Sequence, residues 1–264
     1  MARIPFKKYE GLGNDFILLE LSGRSLVEEA VRRLCDRHFG IGADGVLLVG
    51  PPRSAGATAT MTILNADGSQ PEMCGNGIRC VAIHVAAKQG RDVAELLIDT
   101  DAGPRACKVD QGGVEVEMGK LVELGAVEVA IEGRVHRFAR MSAGNPHAVT
   151  FERYEASEID VIGPQVARAS IFPEGTNVEF ARLGDDGAID LVVWERGVGR
   201  TLACGTGAAA TVGAACLARR RSYGEFVEVR LPGGSLHIRV RQDTLAATMR
   251  GPARLVFEGE VTLP

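Results

Sequence analysis

Cys74-Gly75-Asn76-Gly77 opens one apolar stretch of the chain, and Cys204-Gly205-Thr206-Gly207 opens another 130 residues later. The same spacing recurs elsewhere. Gly13-Asn14 returns as Gly144-Asn145 and Met118 as Met249, both at an offset of 131. Between these anchors Asp101-Ala102-Gly103-Pro104 lines up with the turn Leu231-Pro232-Gly233-Gly234. One such match carries little weight, but a nearly constant offset across the chain is the signature of an internal duplication. The halves read as an N-terminal lobe, 1–119, and a C-terminal lobe, 120–252, with a last strand over 253–264 returning to the first lobe.

Each half is rich in strands. Ile17–Leu21, Val46–Val49, Thr58–Leu64, Glu95–Ile98 and Val114–Met118 alternate or run apolar between Gly, Asp and Pro breaks. Val127–Ile131, Val178–Ala181, Ile189–Val193, Val227–Leu231 and Leu236–Val240 repeat the pattern. Few helices are expected. Ser25-Leu26-Val27-Glu28 reads as a capping box that starts one with Leu26, Ala30, Val31 and Leu34 on its apolar side. Two more follow the cysteine motifs, Asn76 to Lys88 and Thr206 to Ala218, with Gly90 and Gly224 as their stops. Both are apolar on nearly every side and must be buried. The predicted fold is therefore α+β: two pseudo-symmetric lobes, each a curved, mostly antiparallel sheet around one central buried helix.

Composition narrows the function classes. Of 264 residues, 45 % are hydrophobic and 24 % charged, with a net charge of −4 and no basic run longer than Arg219–Arg221, which argues against a nucleic-acid partner. The start, MARIPFKKYEGLGNDF, has no apolar core of a secretory signal. The longest uncharged small-apolar stretch, Gly205 to Ala218, is shorter than the roughly 20 residues a bilayer crossing needs. A cytoplasmic protein with no membrane partner is expected. Its six cysteines should then be reduced thiols. They form no CxxC pair and no zinc spacing, so no metal site is predicted. Cys35, Cys80, Cys107 and Cys216 read as small buried hydrophobes.

Cys74 and Cys204 differ because each stands before glycines at a helix start. Glycine lets backbone approach a ligand, and the first helical N–H groups lack internal partners. With the positive end of the helix dipole they make an anion site, which also favours a thiolate. The duplication supplies two thiols and two such helix ends. That set suits inversion at the α-carbon of an amino acid: one thiolate takes the proton, a thiol returns one from the other side, and helix N–H groups stabilise charge driven onto the carboxylate. Nothing resembles a phosphate loop with a partner lysine for pyridoxal phosphate, so no cofactor is expected.

At these residues the chain resembles the diaminopimelate epimerases over essentially its whole length. The matching segments are Gly11-Leu-Gly-Asn-Asp-Phe16, Asn65-Ala-Asp-Gly-Ser69, Cys74-Gly-Asn-Gly-Ile-Arg79, Gly144-Asn-Pro-His147, Thr176-Asn177 and Glu195-Arg196 leading to Ala203-Cys-Gly-Thr-Gly207. The resemblance implies interconversion of L,L- and meso-diaminopimelate without a cofactor, for lysine and peptidoglycan synthesis, by an enzyme that is commonly a homodimer. It casts Cys74 and Cys204 as the acid/base thiols. Gly75, Asn76, Gly205 and Thr206 would hold the reacting carboxylate. Asn14, Asn65, Asn145 and Asn177 would line the pocket and fix the distal amino-acid end. Arg196 would pair with the distal carboxylate and Glu195 with an ammonium, while His147 and Glu195 would tune the thiols. Gly45 departs from the family, since some members have glutamine there, and it is left out of the site.

The repeat itself adds a point. Asn65 precedes Cys74 by nine residues, and Glu195 precedes Cys204 by nine, so equivalent positions hold different polar groups, as an asymmetric ligand requires. Two rivals remain on sequence: a proline racemase or hydroxyproline epimerase of the same fold, and a non-catalytic amino-acid-binding protein. His84, on an apolar helix, reads as a satisfied core histidine, and Arg219–Arg221 as a solvated helix end.

Overall fold

The structure is a computed structural model that describes residues 3–21 and 26–262. The chain divides into two compact units, Met1–Val116 with Gly251–Pro264, and Glu117–Arg250.

In the first unit β1 (Arg3–Gly11) and β2 (Asn14–Glu20) form a hairpin whose tip, Leu12-Gly13, takes positive φ at both residues. Next come α1 (Glu28–Cys35), β3 (Gly45–Gly50), β4 (Ala59–Asn65), α2 (Gly75–Lys88), β5 (Ala94–Asp99), β6 (Arg105–Asp110) and β7 (Gly113–Lys120), whose first residues belong here. The strands pair in the order β17–β1–β2–β3–β4–β5–β6–β7, where β17 is Arg254–Thr262. Only β2/β3 and β4/β5 are parallel in this sequence.

The second unit holds β8 (Val122–Ile131), β9 (Arg134–Ser142), β10 (Pro146–Thr150), α3 (Ala156–Ala167), β11 (Asn177–Leu183), β12 (Ile189–Glu195), β13 (Gly199–Thr201), α4 (Gly205–Leu217), β14 (Val227–Leu231), β15 (Gly234–Val240) and β16 (Ala246–Gly251). Its strands run β8–β9–β10–β11–β12–β14–β15–β16, with β10/β11 and β12/β14 parallel. Order and direction repeat those of the first unit strand for strand, so the duplication is plain in the topology. The ladders also fix residue equivalences. Phe16 lies opposite Gly45 and Gly45 opposite Asn65. His147 lies opposite Asn177, and the next residue, Val178, opposite Trp194. Phe16, Leu47 and Asn65 of one unit therefore correspond to His147, Glu179 and Glu195 of the other.

Each sheet wraps a helix. α2 is buried from Gly75 through Ala82 and packs on β1 to β6; α4 is buried along its length except at Thr206 and Leu217, and packs on β9, β10, β11 and β15. Small residues allow this closeness: a Cβ on Gly213 of α4 would fall 2.6 Å from Leu121 Cδ1. The other four cysteines are buried and form no disulfide. Burial pushes Cys35 and Cys216 up to about 11 and Cys80 further still.

Three details depart from the sequence reading. α1 starts at Glu28 with Val27 as its N-cap and no side-chain cap, while Ser25 of the expected capping box lies outside the described residues. α4 ends at Leu217, before Gly224 can act as its stop: Arg219 takes φ 56° and donates its N–H to Cys216 O. Finally, α3 lies where the sequence reading names no helix, and it contains both Gly163 and Pro164. The helix tolerates both, since Gly163 seats the Trp194 ring, which a Cβ would meet at 2.9 Å, and Glu158 caps Glu155 N–H at 2.7 Å. Among the described residues no helix is long and apolar enough to cross a membrane.

Candidate active site

The site residues fall into two half-sites, one in each unit. In the first, Cys74 is the N-cap of α2: its backbone is extended (φ −137°, ψ 119°) and its Sγ accepts from Gly77 N–H at 3.4 Å. The sulfur thus meets one of the unpaired donors of a helix start, where the dipole favours negative charge. Gly75 and Asn76 are the first helical residues and both are buried. Asn76 Nδ2 donates to Asn14 Oδ1 at 3.2 Å, and Asn14 Nδ2 donates to Asp44 Oδ2 at 2.8 Å. Asn65 closes β4 and donates to Ser69 Oγ at 2.9 Å. The Asn14–Asn76 contact joins two predicted ligands directly.

What holds this half-site was not read from the sequence. Asp44 also accepts from Asp15 N–H, and Arg37 bridges Asp15 and Asp44 at 2.7 Å each, with Lys8 on Asp15 at 2.5 Å. Burial opposes ionisation of Asp15, yet Arg37 and Lys8 hold its carboxyl down at about 2. Beneath the cysteine, the fully buried Arg79 donates from Nη1 to Gly75 O and from Nε to Pro252 O, both at 3.0 Å. A Cβ on Gly11 would fall 3.1 Å from Arg79 Nη2, a tight contact.

In the second half-site Cys204 is the N-cap of α4, buried, with Sγ 3.5 Å from Thr206 Oγ1. Gly205 and Thr206 lead the helix as Gly75 and Asn76 do. Glu195 ends β12 and accepts from Thr201 Oγ1 at 2.6 Å. Burial pushes its carboxyl up, Thr201 pulls it back, and Glu179 pushes in the same sense as burial. Asn177 accepts from Arg196 N–H at 2.9 Å and donates to Pro146 O at 3.1 Å. The Arg196 guanidinium rests on Glu174 O at 2.9 Å. His147 is buried between two oxygens, with Nδ1 2.7 Å from Glu179 Oε1 and Nε2 2.9 Å from Asn145 Oδ1. Burial raises Cys204 well above an ordinary thiol, and the nearby Glu195 and Glu179 charges add to the shift. The structure thus links Asn145 with His147, Asn177 with Arg196, and Glu195 with Cys204 through shared electrostatics.

Glu179 was missed because Val178-Glu179-Phe180 reads as a strand with one residue turned to solvent. β11 is instead buried on both faces over its first five residues, since one face carries α4 and the other α3. His84 is the core histidine expected, with Glu20 Oε1 at 2.9 Å and Tyr9 OH at 3.4 Å.

Two buried helices capped by cysteines, each inside a sheet of the same topology, define a class of protein. The hydroxyproline epimerase of Agrobacterium vitis, solved with trans-4-hydroxy-L-proline, shares the fold with a TM-score of 0.78 at 16 % identity, over 99 % of this chain and 93 % of that one. A phenazine biosynthesis protein of Bacillus anthracis matches with a TM-score of 0.75 at 17 % identity, over 99 % and 100 %. Such identities establish the fold alone. Sequence gives the particular family: the chain belongs to the diaminopimelate epimerases, whose family model matches residues 6–124 and 139–256. It is 43 % identical over 281 residues to the diaminopimelate epimerase of Microcystis aeruginosa, covering 97 % of this chain and 98 % of that protein. With the Synechocystis enzyme of the same name it shares 40 % over 283 residues, covering 98 % and 99 %.

Proposed function

We propose that this chain is an isomerase that interconverts L,L- and meso-diaminopimelate by proton transfer at one α-carbon, with Cys74 and Cys204 as its two bases and no cofactor. The observation that carries the reading is the pair of N-caps: each thiol heads a buried helix whose first residues are Gly75-Asn76 and Gly205-Thr206, and the leading N–H groups of a helix have no acceptor in a preceding turn. Proton removal drives charge onto the carboxylate, and donors aimed at that charge are worth about 2.7–4 kcal/mol each. One sulfur accepts the proton as the carbon loses it, and the other donates from the opposite side, so the sulfurs exchange protonation states at each turnover.

The remaining residues suit the distal amino-acid end. Asn14, Asn65, Asn145 and Asn177 offer amide donors and acceptors, Arg196 a planar fork for a carboxylate, and Glu195 an acceptor for an ammonium. A proline-type substrate has no second amino-acid end for these groups, and its supporting likeness is one of fold at 16 % identity. His147 and Glu195 set the proton affinity of Cys204.

We also assign the active form as a cytoplasmic homodimer. On β17 the successive residues Leu255, Val256 and Phe257 are 44 %, 53 % and 46 % exposed, so both faces of one strand show large apolar side chains, which a second copy would cover. Sedimentation of the native protein and of Phe257→Glu tests this, with a shift to monomer expected in the variant.

The activity is tested by following L,L-diaminopimelate in D₂O by NMR with no added cofactor. Deuterium at the inverted centre of meso product, with little early exchange into substrate, is the expected result. Folded, reduced protein that leaves the substrate unchanged would overturn the reading.

A further inference from the structure

The duplication supplies an internal comparison beneath the two thiols. Gly77 in α2 and Gly207 in α4 are equivalent. A Cβ on Gly77 would fall 2.8 Å from Leu47 Cδ2 and 3.7 Å from Cys74 Sγ. A Cβ on Gly207 would fall 2.9 Å from Glu179 Oε1 and 3.3 Å from Cys204 Sγ. The ladders make Leu47 and Glu179 equivalent, and likewise Phe16 and His147. Where the first unit seats an apolar Phe–Leu pair under its cysteine, the second seats a His–Glu couple. That couple is fully shielded, and the second oxygen of Glu179 has no hydrogen-bond partner among the described residues. Burying a carboxylate so is costly, and a fold that already packs Leu at the twin position has a cheap alternative. Its retention therefore calls for a function.

We propose that Glu179 is a positioning residue of the second half-site, which fixes the His147 ring and, set against the first turn of α4, keeps Cys204 protonated between turnovers. This rests on the two-base reading above and makes it asymmetric: the resting enzyme has Cys204 as thiol and proton donor, and Cys74 as the acceptor. In the step itself the Cα–H bond breaks toward Cys74 while the Cys204 S–H proton passes to carbon, with no net change in redox state. The charged or titratable groups that bear on Cys204 are Glu195 from β12 and Glu179 from β11, with His147 from β10 acting on both carboxylates. Thr206 of α4 opposes them weakly through its hydroxyl. In the first unit the buried Arg79 stands on α2 where the duplication puts the uncharged Ala209 on α4.

The test needs no substrate. Rates of iodoacetamide alkylation at Cys204 and Cys216, resolved by peptide mass spectrometry, are measured against pH in the native protein and in Glu179→Gln. Cys216, at the far end of α4, reports on any loosening of the unit. Accessibility changes the height of such a profile, whereas the charge of a neighbour moves its inflection. Glu179→Gln is expected to lower the inflection at Cys204 by about one pH unit, a tenfold gain in rate at fixed pH below it, and to leave that of Cys216 in place. The double variant His147→Phe, Glu179→Leu, which copies the packing of the first unit, is expected to do the same. An unmoved Cys204 inflection in both variants, or equal movement at Cys204 and Cys216, overturns the proposal. Failure of native protein to epimerise diaminopimelate would sink the activity reading alone and leave the alkylation result standing.

Discussion

Thr201 Oγ1 donates to Glu195 Oε1 at 2.6 Å, and this hydroxyl is the strongest of the influences that hold the half-buried carboxyl of Glu195 down against its own burial. The net direction is still upward. A carboxyl whose folded-state value lies above its unfolded one keeps a proton in the fold that the unfolded chain has released. Stability therefore falls as pH rises through that window, and the deficit is complete above it.

Glu195→Gln should remove this deficit, since glutamine keeps an acceptor for Thr201 and carries no charge. Thermal unfolding is expected to show a gain of about 1 kcal/mol or more near pH 7.5, shrinking to nothing at about pH 3, where the carboxyl is protonated in both states. Epimerisation should fall in the same variant. A stability gain equal at both pH values would mean that burial of the charge is not its source.

The cysteines give the sharpest functional outcome. Cys74→Ala and Cys204→Ala should each cut epimerisation by at least about 10²-fold, the usual worth of a positioned acid or base. Neither loss should come from unfolding, since alanine is accommodated at a helix N-cap at a cost of about 1 kcal/mol. Kinetics beside circular dichroism separates the two causes, and full activity in either variant would end the two-base scheme.

Much of this was legible in the chain. The 130-residue repeat, the two Cys-Gly-x-Gly helix starts and the strand periodicity lead to the duplicated α+β fold now shown by topology and family. The supports of the half-sites were not legible, for a physical reason. Glu179 and Arg79 are charged residues inside segments buried on every side, and alternation or amphipathic rules assign such residues to solvent. Asp44 meets Asn14, 30 residues away, only once the α1 crossover sets β3 beside β2, and Thr201 meets Glu195 only once β13 folds back along β12. Aligning the halves by ladder register would have exposed Glu179, because its twin is Leu47.

Arg79 gives a stability prediction. Its guanidinium satisfies the carbonyls of Gly75 and Pro252, one in the first turn of α2 and one just before β17. Arg79→Met keeps much of the volume and leaves both acceptors without that donor. Stranding the Pro252 carbonyl costs about 1–3 kcal/mol, whereas Gly75 O keeps the backbone N–H of residue 79 within α2, and the loss is partly offset because no charge is buried any longer. A net loss of about 2 kcal/mol in urea unfolding is expected, and Arg79→Lys should recover only part of it, since an ammonium lacks the fork that reaches both carbonyls. Undiminished stability in Arg79→Met would show that these hydrogen bonds contribute nothing net.

Arg196 offers a binding prediction. Its backbone N–H is held by Asn177 and its side chain by the Glu174 carbonyl, so the guanidinium is placed before any substrate arrives. Because it serves the distal end, Arg196→Ala should remove binding common to ground and transition states. KM should rise at least tenfold, by about 1.4 kcal/mol or more, with kcat changed much less. A fall in kcat at constant KM would place Arg196 at the reacting centre instead.

The twin glycines allow one comparison in which the fold is its own control. Gly77→Ala and Gly207→Ala are the same change at equivalent helix positions, and each gains about 1 kcal/mol of helix propensity. They differ in what the new methyl meets. At Gly77 it meets the end of Leu47, a flexible side chain that can rotate aside. At Gly207 it meets Glu179 Oε1, which cannot retreat without stretching its 2.7 Å bond to His147, and it also presses on Cys204 Sγ. Overpacking costs about 1–3 kcal/mol, so Gly77→Ala should come out near neutral while Gly207→Ala loses about 2 kcal/mol relative to it. Activity should follow the same order, because the displaced carboxylate releases the His147 ring and the residues it orients. Equal stability and equal activity in the two variants would show that Glu179 is free to move, and with it the couple beneath Cys204.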